Sequence, residues 1–157
     1  MAKALVVFNA HYRETRLAAE EIARGMADAG PVVPVVASVR EVSAGKVKGF
    51  GIVVVGSPTS PREASREARE LTTILPVGTF DRKTVSVFDV GSPAHHGEGL
   101  RKLREAFEAV DPSLHLASPG ISVVVDGDSG ELPEEEVARC RQFGERLTGI
   151  AVAAGSL

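Results

Sequence analysis

The sequence predicts an α/β fold in three layers, a doubly wound sheet of five parallel strands in the order 2-1-3-4-5. Short apolar, β-branched runs alternate along the chain with amphipathic helical segments. Three of these runs end in loops of small residues that lead into a helix, as buried parallel strands do. The second run contains Pro34, which lacks a ladder donor, so we expect that strand at a sheet edge.

The first part of the chain predicts two strands and one long helix. Residues 4–8 are continuously apolar and predict strand one, and residues 32–36 predict strand two. An amphipathic helix lies between them and ends near Gly30-Pro31. Its inner face is predicted from apolar residues that recur about every four positions: Ala18, Ile22, Met26 and Ala29. Residues 40–50 mix charged, glycine and small residues and are compatible with a short helix or a loop.

Strand three is predicted over residues 51–55, and the helix after it has a clear start signal. In Ser60-Pro61-Arg62-Glu63 the serine can cap the helix, the proline needs no amide donor, and the glutamate can reach back to the cap amide. This helix is predicted to bury Ala64, Ala68, Leu71 and Leu75 and to expose Arg66, Glu67, Arg69 and Glu70.

Residues 84–88 predict strand four, and residues 121–125 predict strand five. The helix between them repeats Leu100, Leu103, Phe107 and Val110 and stops at Asp111-Pro112. The last helix follows Pro133, and the acidic run Glu134-Glu135-Glu136 suits its positive first turn. Its apolar face is predicted to be Val137, Cys140, Gly144, Leu147 and Ala151. Cys140 should therefore behave as a small buried hydrophobe.

Composition narrows the classes of function. The 157 residues fit one domain, 1–157, and 18 Lys and Arg against 21 Asp and Glu give a net charge of −3. This balance predicts neither a nucleic-acid partner nor a polybasic membrane patch. One cysteine rules out an internal disulfide and indicates a reducing compartment. Because the sequence has no apolar span of about 20 residues, we expect a cytoplasmic protein. We also expect a monomer or a weak homodimer.

In the predicted topology, three loops converge outside the carboxyl ends of strands one, three and four: residues 9–15, 56–61 and 89–97. The dinucleotide fingerprint Gly-x-Gly-x-x-Gly and the P-loop string are both absent. Response-regulator receivers share the topology, but their acidic pair and phosphoacceptor aspartate are replaced by Asn9 and Gly56-Ser57. The loops therefore predict a ligand site of another kind.

At these loops the chain resembles the flavodoxin family over nearly its whole length. Gly56-Ser57-Pro58-Thr59 is similar to the second flavin loop of that family, and Val90-Gly91-Ser92 through Gly97 corresponds to its third loop. Residues 9–15 correspond to the phosphate loop. The resemblance implies noncovalent FMN and electron transfer between two redox partners, a reductase and an acceptor. It implies these FMN contacts: Ala10, His11, Tyr12, Arg13, Glu14, Thr15, Ser57, Pro58, Thr59, Ser60, Gly91, Ser92, His95, His96 and Gly97.

Departures from the family pattern keep two alternatives open. In the phosphate loop Ala10 lacks the usual hydroxyl, Arg13 replaces the usual glycine, and Glu14 brings a negative charge beside the expected phosphate. Ser60 stands where an aromatic residue commonly stacks on the flavin. One alternative is therefore a binding or scaffold domain of the same fold without FMN. The other is a small flavin-dependent NAD(P)H reductase with His95 or His96 as proton source. The spacing of the histidines matches no metal signature, and we expect no metal site.

Overall fold

Five parallel strands form one sheet whose order across the sheet is the predicted one. In the computed structural model they are β1 (Ala2–Phe8), β2 (Val32–Ser38), β3 (Ile52–Pro58), β4 (Thr84–Gly91) and β5 (Ile121–Val124). Their spatial order is β2-β1-β3-β4-β5, so the strand with Pro34 lies at the edge, as predicted. The structure describes residues 2–8, 13–30, 32–58, 66, 69–70, 78–111, 114, 116–125 and 131–157.

The helices in the described residues are α1 (Arg13–Ala29), α2 (Ala44–Val47), α3 (Glu98–Val110) and α4 (Glu134–Ala154). Residues 40–50, for which the sequence allowed a short helix or a loop, contain α2 and the end of a 3-10 turn, Val39–Glu41. Of the helix predicted after β3, Arg66, Arg69 and Glu70 are helical and exposed, and its predicted cap and inner face lie outside the described residues. In the described parts of the chain, no helix is long and apolar enough to cross a membrane.

Alternating side chains of the strands enter two separate cores, which confirms the three-layer arrangement. One core packs the sheet against α1 and α4, and the strand residues in it include Ala4, Val6, Ile52, Val54, Phe88 and Val90. The other packs the opposite face against α3 and the segment around α2, and it includes Leu5, Val7, Val53, Val55, Val85 and Val87. Both faces of the central strands are therefore apolar, which is why their sequences show continuous apolar runs.

Glycines bring α1 and α4 close together over the first core. A Cβ at Gly25 would overlap the carbonyl oxygen of Arg141, and a Cβ at Gly144 would overlap that of Ile22. Cys140 is completely buried, as predicted, and burial raises the pKa of its thiol to about 12. The expectation for Ala29 was wrong: it is exposed, because it is the last residue of α1 and the buried face ends at Met26.

Two strands continue beyond the predicted ends at the carboxyl edge of the sheet. β3 runs to Pro58 and β4 to Gly91, with Gly56 beside Phe88 and Ser57 beside Asp89 in register. A parallel ladder uses backbone groups, so it can continue after the apolar run stops. Gly56 also leaves the space that the Phe88 ring fills. The second and third loops therefore begin later than the sequence predicted.

Side chains of α4 satisfy backbone groups of the edge strand β5. The Glu136 carboxylate accepts a hydrogen bond from the Val124 amide at 2.6 Å and pairs with Arg139 at 2.7 Å. The Arg139 guanidinium also donates to the Ser122 carbonyl at 3.2 Å. Glu136 is buried, although its sequence position in an acidic first turn indicated only a favourable dipole contact. The last helix therefore holds the end of β5 in place through hydrogen bonds of two charged side chains, Glu136 and Arg139.

Candidate functional site

The sheet order places the ends of β1, β3 and β4 side by side, and the loops after them form the candidate site. The structure places ten of the predicted contacts at least by backbone: Arg13, Glu14, Thr15, Ser57, Pro58, Gly91, Ser92, His95, His96 and Gly97. Ala10, His11, Tyr12, Thr59 and Ser60 lie outside the described residues. The site can therefore be built from the start of α1, the end of β3 and the third loop.

The first turn of α1 presents backbone amides at the carboxyl edge. Arg13 is exposed, Glu14 is half-buried, and Thr15 is only 1% exposed. Helix N-termini leave backbone N–H groups unpaired and carry a partial positive charge, which favours an anion. The carboxylate of Glu14 in the same turn already supplies one negative charge. That charge opposes an anion, whereas the exposed guanidinium of Arg13 in the same turn favours one.

The end of β3 is more buried than a ligand loop would be. Ser57 is completely buried inside the sheet, in register with Asp89 on β4. Pro58 is the last residue of the strand, and its side chain lies outside the described residues. The Ser57 side chain is therefore closed to solvent at this edge.

The third loop, residues 92–97, crosses from β4 to α3 and is tied to β5. It contains a 3-10 turn, Pro93–His95, and it ends at Gly97 with φ of 80°. The Gly97 amide donates to the Ser122 hydroxyl at 2.9 Å. Just before the loop, the carbonyl of Gly91 accepts from the Val125 amide at 2.9 Å. Both ends of the loop are thus fixed to the neighbouring strand.

Part of the third loop is accessible to solvent at the carboxyl edge of the sheet. Pro93, Ala94 and His96 are exposed, whereas Ser92 and Gly97 are half-buried. The backbone of His95 lies in the 3-10 turn, and its side chain is outside the described residues. In the part of the chain that the structure describes, no group of three His, Cys, Asp or Glu side chains could hold a metal ion. The loop therefore offers backbone groups and one histidine to a ligand.

A completely buried carboxyl, that of Asp89, lies beneath the third loop. Its Oδ2 accepts a hydrogen bond from the Leu100 amide at 2.9 Å, while Oδ1 has no hydrogen-bond partner among the described residues. Burial raises the pKa of Asp89, and the Ser122 hydroxyl, the Leu100 amide and the charge of His96 lower it to a smaller extent. Burial prevails over these contacts because removing a carboxylate from water is costly.

No protein-family model matches this sequence, and no curated protein matches it. Solved structures do match. A flavodoxin from the domain Archaea is 18% identical with a TM-score of 0.71, and the match covers 96% of this chain and 99% of that chain. Flavodoxin 2 from Bacillus cereus is 20% identical with a TM-score of 0.71, over 94% of this chain and 99% of that one. This chain has a flavodoxin-like fold.

The flavodoxin-like fold also occurs within longer proteins. The flavodiiron protein from Giardia intestinalis is 16% identical with a TM-score of 0.73, and the match covers 97% of this chain but 36% of that chain. These identities are low, so the likeness concerns the fold. It confirms the resemblance inferred from Gly56-Ser57-Pro58-Thr59 and the strand order.

Sequence reasoning missed Asp89 in this flavodoxin-like fold. A signal was present, because Asp89 is the only charged residue in the run of β4 from Thr84 to Gly91. A lone acid in a strand buried on both faces needs hydrogen-bond partners from a neighbouring element. The sequence could not identify these partners, because Ser122 and Leu100 come from other elements.

Proposed function

We propose that this chain binds FMN at the carboxyl edge of its sheet and carries electrons between a reductase and an acceptor protein. The observation that carries the proposal is the sheet order β2-β1-β3-β4-β5. It brings the start of α1, the end of β3 and the third loop to one crevice, at the position where doubly wound sheets hold their ligands. The string Gly56-Ser57-Pro58-Thr59 at the end of β3 supports a flavin as that ligand.

The described residues carry the kinds of hydrogen-bonding groups that the phosphate and the ring of FMN need. A phosphate needs amide donors and a hydroxyl, and the first turn of α1 carries helix amides together with the hydroxyl of Thr15. The pyrimidine edge of a flavin needs backbone donors and acceptors, which the exposed third loop carries. The hydrogen bonds of Gly97 and Gly91 to β5 hold that loop in place before any ligand arrives.

In this proposal the chain binds and orients the cofactor, and the flavin supplies the redox chemistry. Residues 10–15 hold the phosphate, residues 58–60 lie along the ring, and residues 91–97 meet its pyrimidine edge. Ser57, which the resemblance implied as a contact, is completely buried within the sheet and is not part of this arrangement. Arg13 is exposed and adds a guanidinium that can pair with phosphate oxygens. We further propose a cytoplasmic carrier that acts as a monomer or weak homodimer.

Titration of the purified protein with FMN tests the proposal. We expect quenching of flavin fluorescence with a dissociation constant below about 1 µM. Because FMN would bind only the folded state, we also expect a gain of about 2.7 kcal/mol in the free energy of unfolding at a hundredfold excess over that constant. No binding up to about 100 µM would instead favour a cofactor-free binding domain. FMN-dependent oxidation of NAD(P)H by the protein alone would favour the reductase.

The role of Thr15 can be tested separately from flavin binding as a whole. Thr15→Val removes the hydroxyl with little change of shape at this buried position. We expect FMN affinity to fall by about 1 kcal/mol, roughly fivefold, for one lost hydrogen bond. Riboflavin lacks the phosphate, so its affinity should not change, and Thr15→Ser should restore FMN affinity. Equal losses for FMN and riboflavin would remove Thr15 from the phosphate site.

A further inference from the structure

Three polar side chains form a row across the sheet directly beneath the third loop. Ser57, Asp89 and Ser122 are in register on β3, β4 and β5, and all three are buried. In β4, Asp89 is two residues after Val87, so it lies on the same face of the sheet as Val87, the face that α3 covers. Buried polar groups are costly unless they are hydrogen-bonded, which makes the partners of this row informative.

Two members of this row, Asp89 and Ser122, accept hydrogen bonds at the start of α3, where an N-cap side chain would usually accept them. The N-cap residue is Gly97, which has a left-handed backbone and no side chain to accept from the first-turn amides. The Asp89 carboxyl accepts instead from the Leu100 amide, and the Ser122 hydroxyl accepts from the Gly97 amide. Two neighbouring strands therefore hold the junction between the third loop and α3.

Little positive charge balances Asp89. The ionisable groups of the third loop and the adjoining turns of α3 whose side chains are described are His96, Glu98, Arg101 and Lys102. The in-register neighbours on β3 and β5 are uncharged serines. His96 favours the charged form of Asp89. Of the three basic side chains of α3, Arg101 and Lys102 form ion pairs with Glu105, and Arg104 is half-buried one turn after Leu100. Among the described residues, no lysine or arginine forms an ion pair with the Asp89 carboxyl.

We propose that Asp89 is a positioning residue that clamps the third loop onto β4 and β5, and that the clamp is tighter with an uncharged carboxyl than with a carboxylate. Opening the loop would bring Asp89 into water, where its charge is well solvated. Closing the loop buries the same charge with neutral partners and one histidine. The clamp is a property of the flavin-free protein, and its effect on flavin binding rests on the proposed function.

The sign of the pH dependence follows from linkage. The pKa of Asp89 is raised in the closed form above its usual value, so protonation favours closing. The clamp is fully closed at pH below the ordinary aspartate pKa, and it loosens as pH rises through the raised pKa. An asparagine side chain at this position would be uncharged at every pH and can still accept from the Leu100 amide. We therefore expect Asp89→Asn to remove the pH dependence and retain the hydrogen bond.

Amide hydrogen exchange of the flavin-free protein tests the clamp, with rates corrected for intrinsic exchange between about pH 3.5 and about pH 8, a range that starts below the ordinary aspartate pKa. In the native chain, protection of the Gly97 and Leu100 amides should fall as pH rises. Asp89→Asn should give protection that is flat with pH and, at the upper end, higher than in the native chain. Asp89→Ala should also give protection that is flat with pH, but about tenfold lower than that of Asp89→Asn, since the acceptor for the Leu100 amide is removed.

Two further variants keep this test decisive. Ser122→Ala removes the acceptor for the Gly97 amide and also the hydroxyl that lowers the pKa of Asp89, so it should loosen that amide and keep a pH dependence at Leu100 that is displaced to higher pH. Glu105→Gln, an exposed carboxyl on the same helix, should behave like the native chain. Native-like pH dependence in Asp89→Asn would overturn the charge part of the proposal. Native protection in both Asp89→Ala and Ser122→Ala would overturn the clamp itself.

Flavin binding gives a second readout that separates this inference from the proposed function. If the third loop meets the ring rather than the phosphate, Asp89→Ala should weaken FMN and riboflavin equally, unlike Thr15→Val. A loss confined to FMN would contradict that placement of the clamp. If the native protein binds no FMN, the proposed function fails, and the exchange measurements still decide whether Asp89 clamps the loop.

Discussion

Replacing Gly144 by alanine should destabilise the protein, although alanine is the better helix former. Gly144 lies inside α4, where an added Cβ would overlap the carbonyl oxygen of Ile22 and approach the amide nitrogen of Met26 to 2.9 Å. Those atoms belong to the backbone of α1 and cannot rotate away, so the two helices must separate. Gly149 lies in the same helix, and a Cβ there would meet nothing within 4 Å.

The two substitutions should therefore change stability in opposite directions. Alanine gains about 1 kcal/mol over glycine in a helix interior. At Gly144 the overlap should cost about 3 kcal/mol, the upper end for overpacking, because backbone atoms must move. The net loss is about 2 kcal/mol, which lowers the melting temperature by about 4–8 °C for a domain of this size. At Gly149 only the gain remains, and the melting temperature should rise by about 2–4 °C.

Thermal and urea unfolding followed by far-ultraviolet circular dichroism would measure both changes. The comparison is controlled internally, because residue type, helix and added group are the same in both variants. A Gly144→Ala protein that is as stable as Gly149→Ala, or more stable than the native chain, would refute the close contact between α1 and α4.

Two further predictions concern buried side chains of α4. Cys140 should not react with an aromatic disulfide reagent in the native state near neutral pH, because its thiol is buried and has a pKa of about 12. Fast labelling without denaturant would contradict this prediction. Glu136→Ala should lower the free energy of unfolding by about 1–3 kcal/mol in urea titrations, because it leaves the Val124 amide without its acceptor and removes the ion pair with Arg139. The exposed Glu134→Ala is the control and should have little effect.

The sequence alone determined the order and type of the five strands and of α1, α3 and α4, and the position of the edge strand. It left residues 40–50, which contain α2, open between a helix and a loop. Strands covered on both faces must be apolar at consecutive positions, and helices covered on one face must repeat apolar residues every three or four positions. Pro34 lacks a ladder donor, which placed β2 at the edge. These rules act through local sequence, so they predicted the sheet order and the burial of Cys140. The string Gly56-Ser57-Pro58-Thr59 was informative only because it follows the third strand.

Only the tertiary structure decided where the strands end and which polar groups are buried. β3 continues to Pro58 because Gly56 admits the Phe88 ring from the next strand, a contact without any local signature. Asp89 and Glu136 look like ordinary acids in the sequence. Each is buried because backbone amides of another element donate to it, from Leu100 and Val124 respectively. Such partners are distant in sequence, and the pairing exists only after the sheet and its helices have assembled.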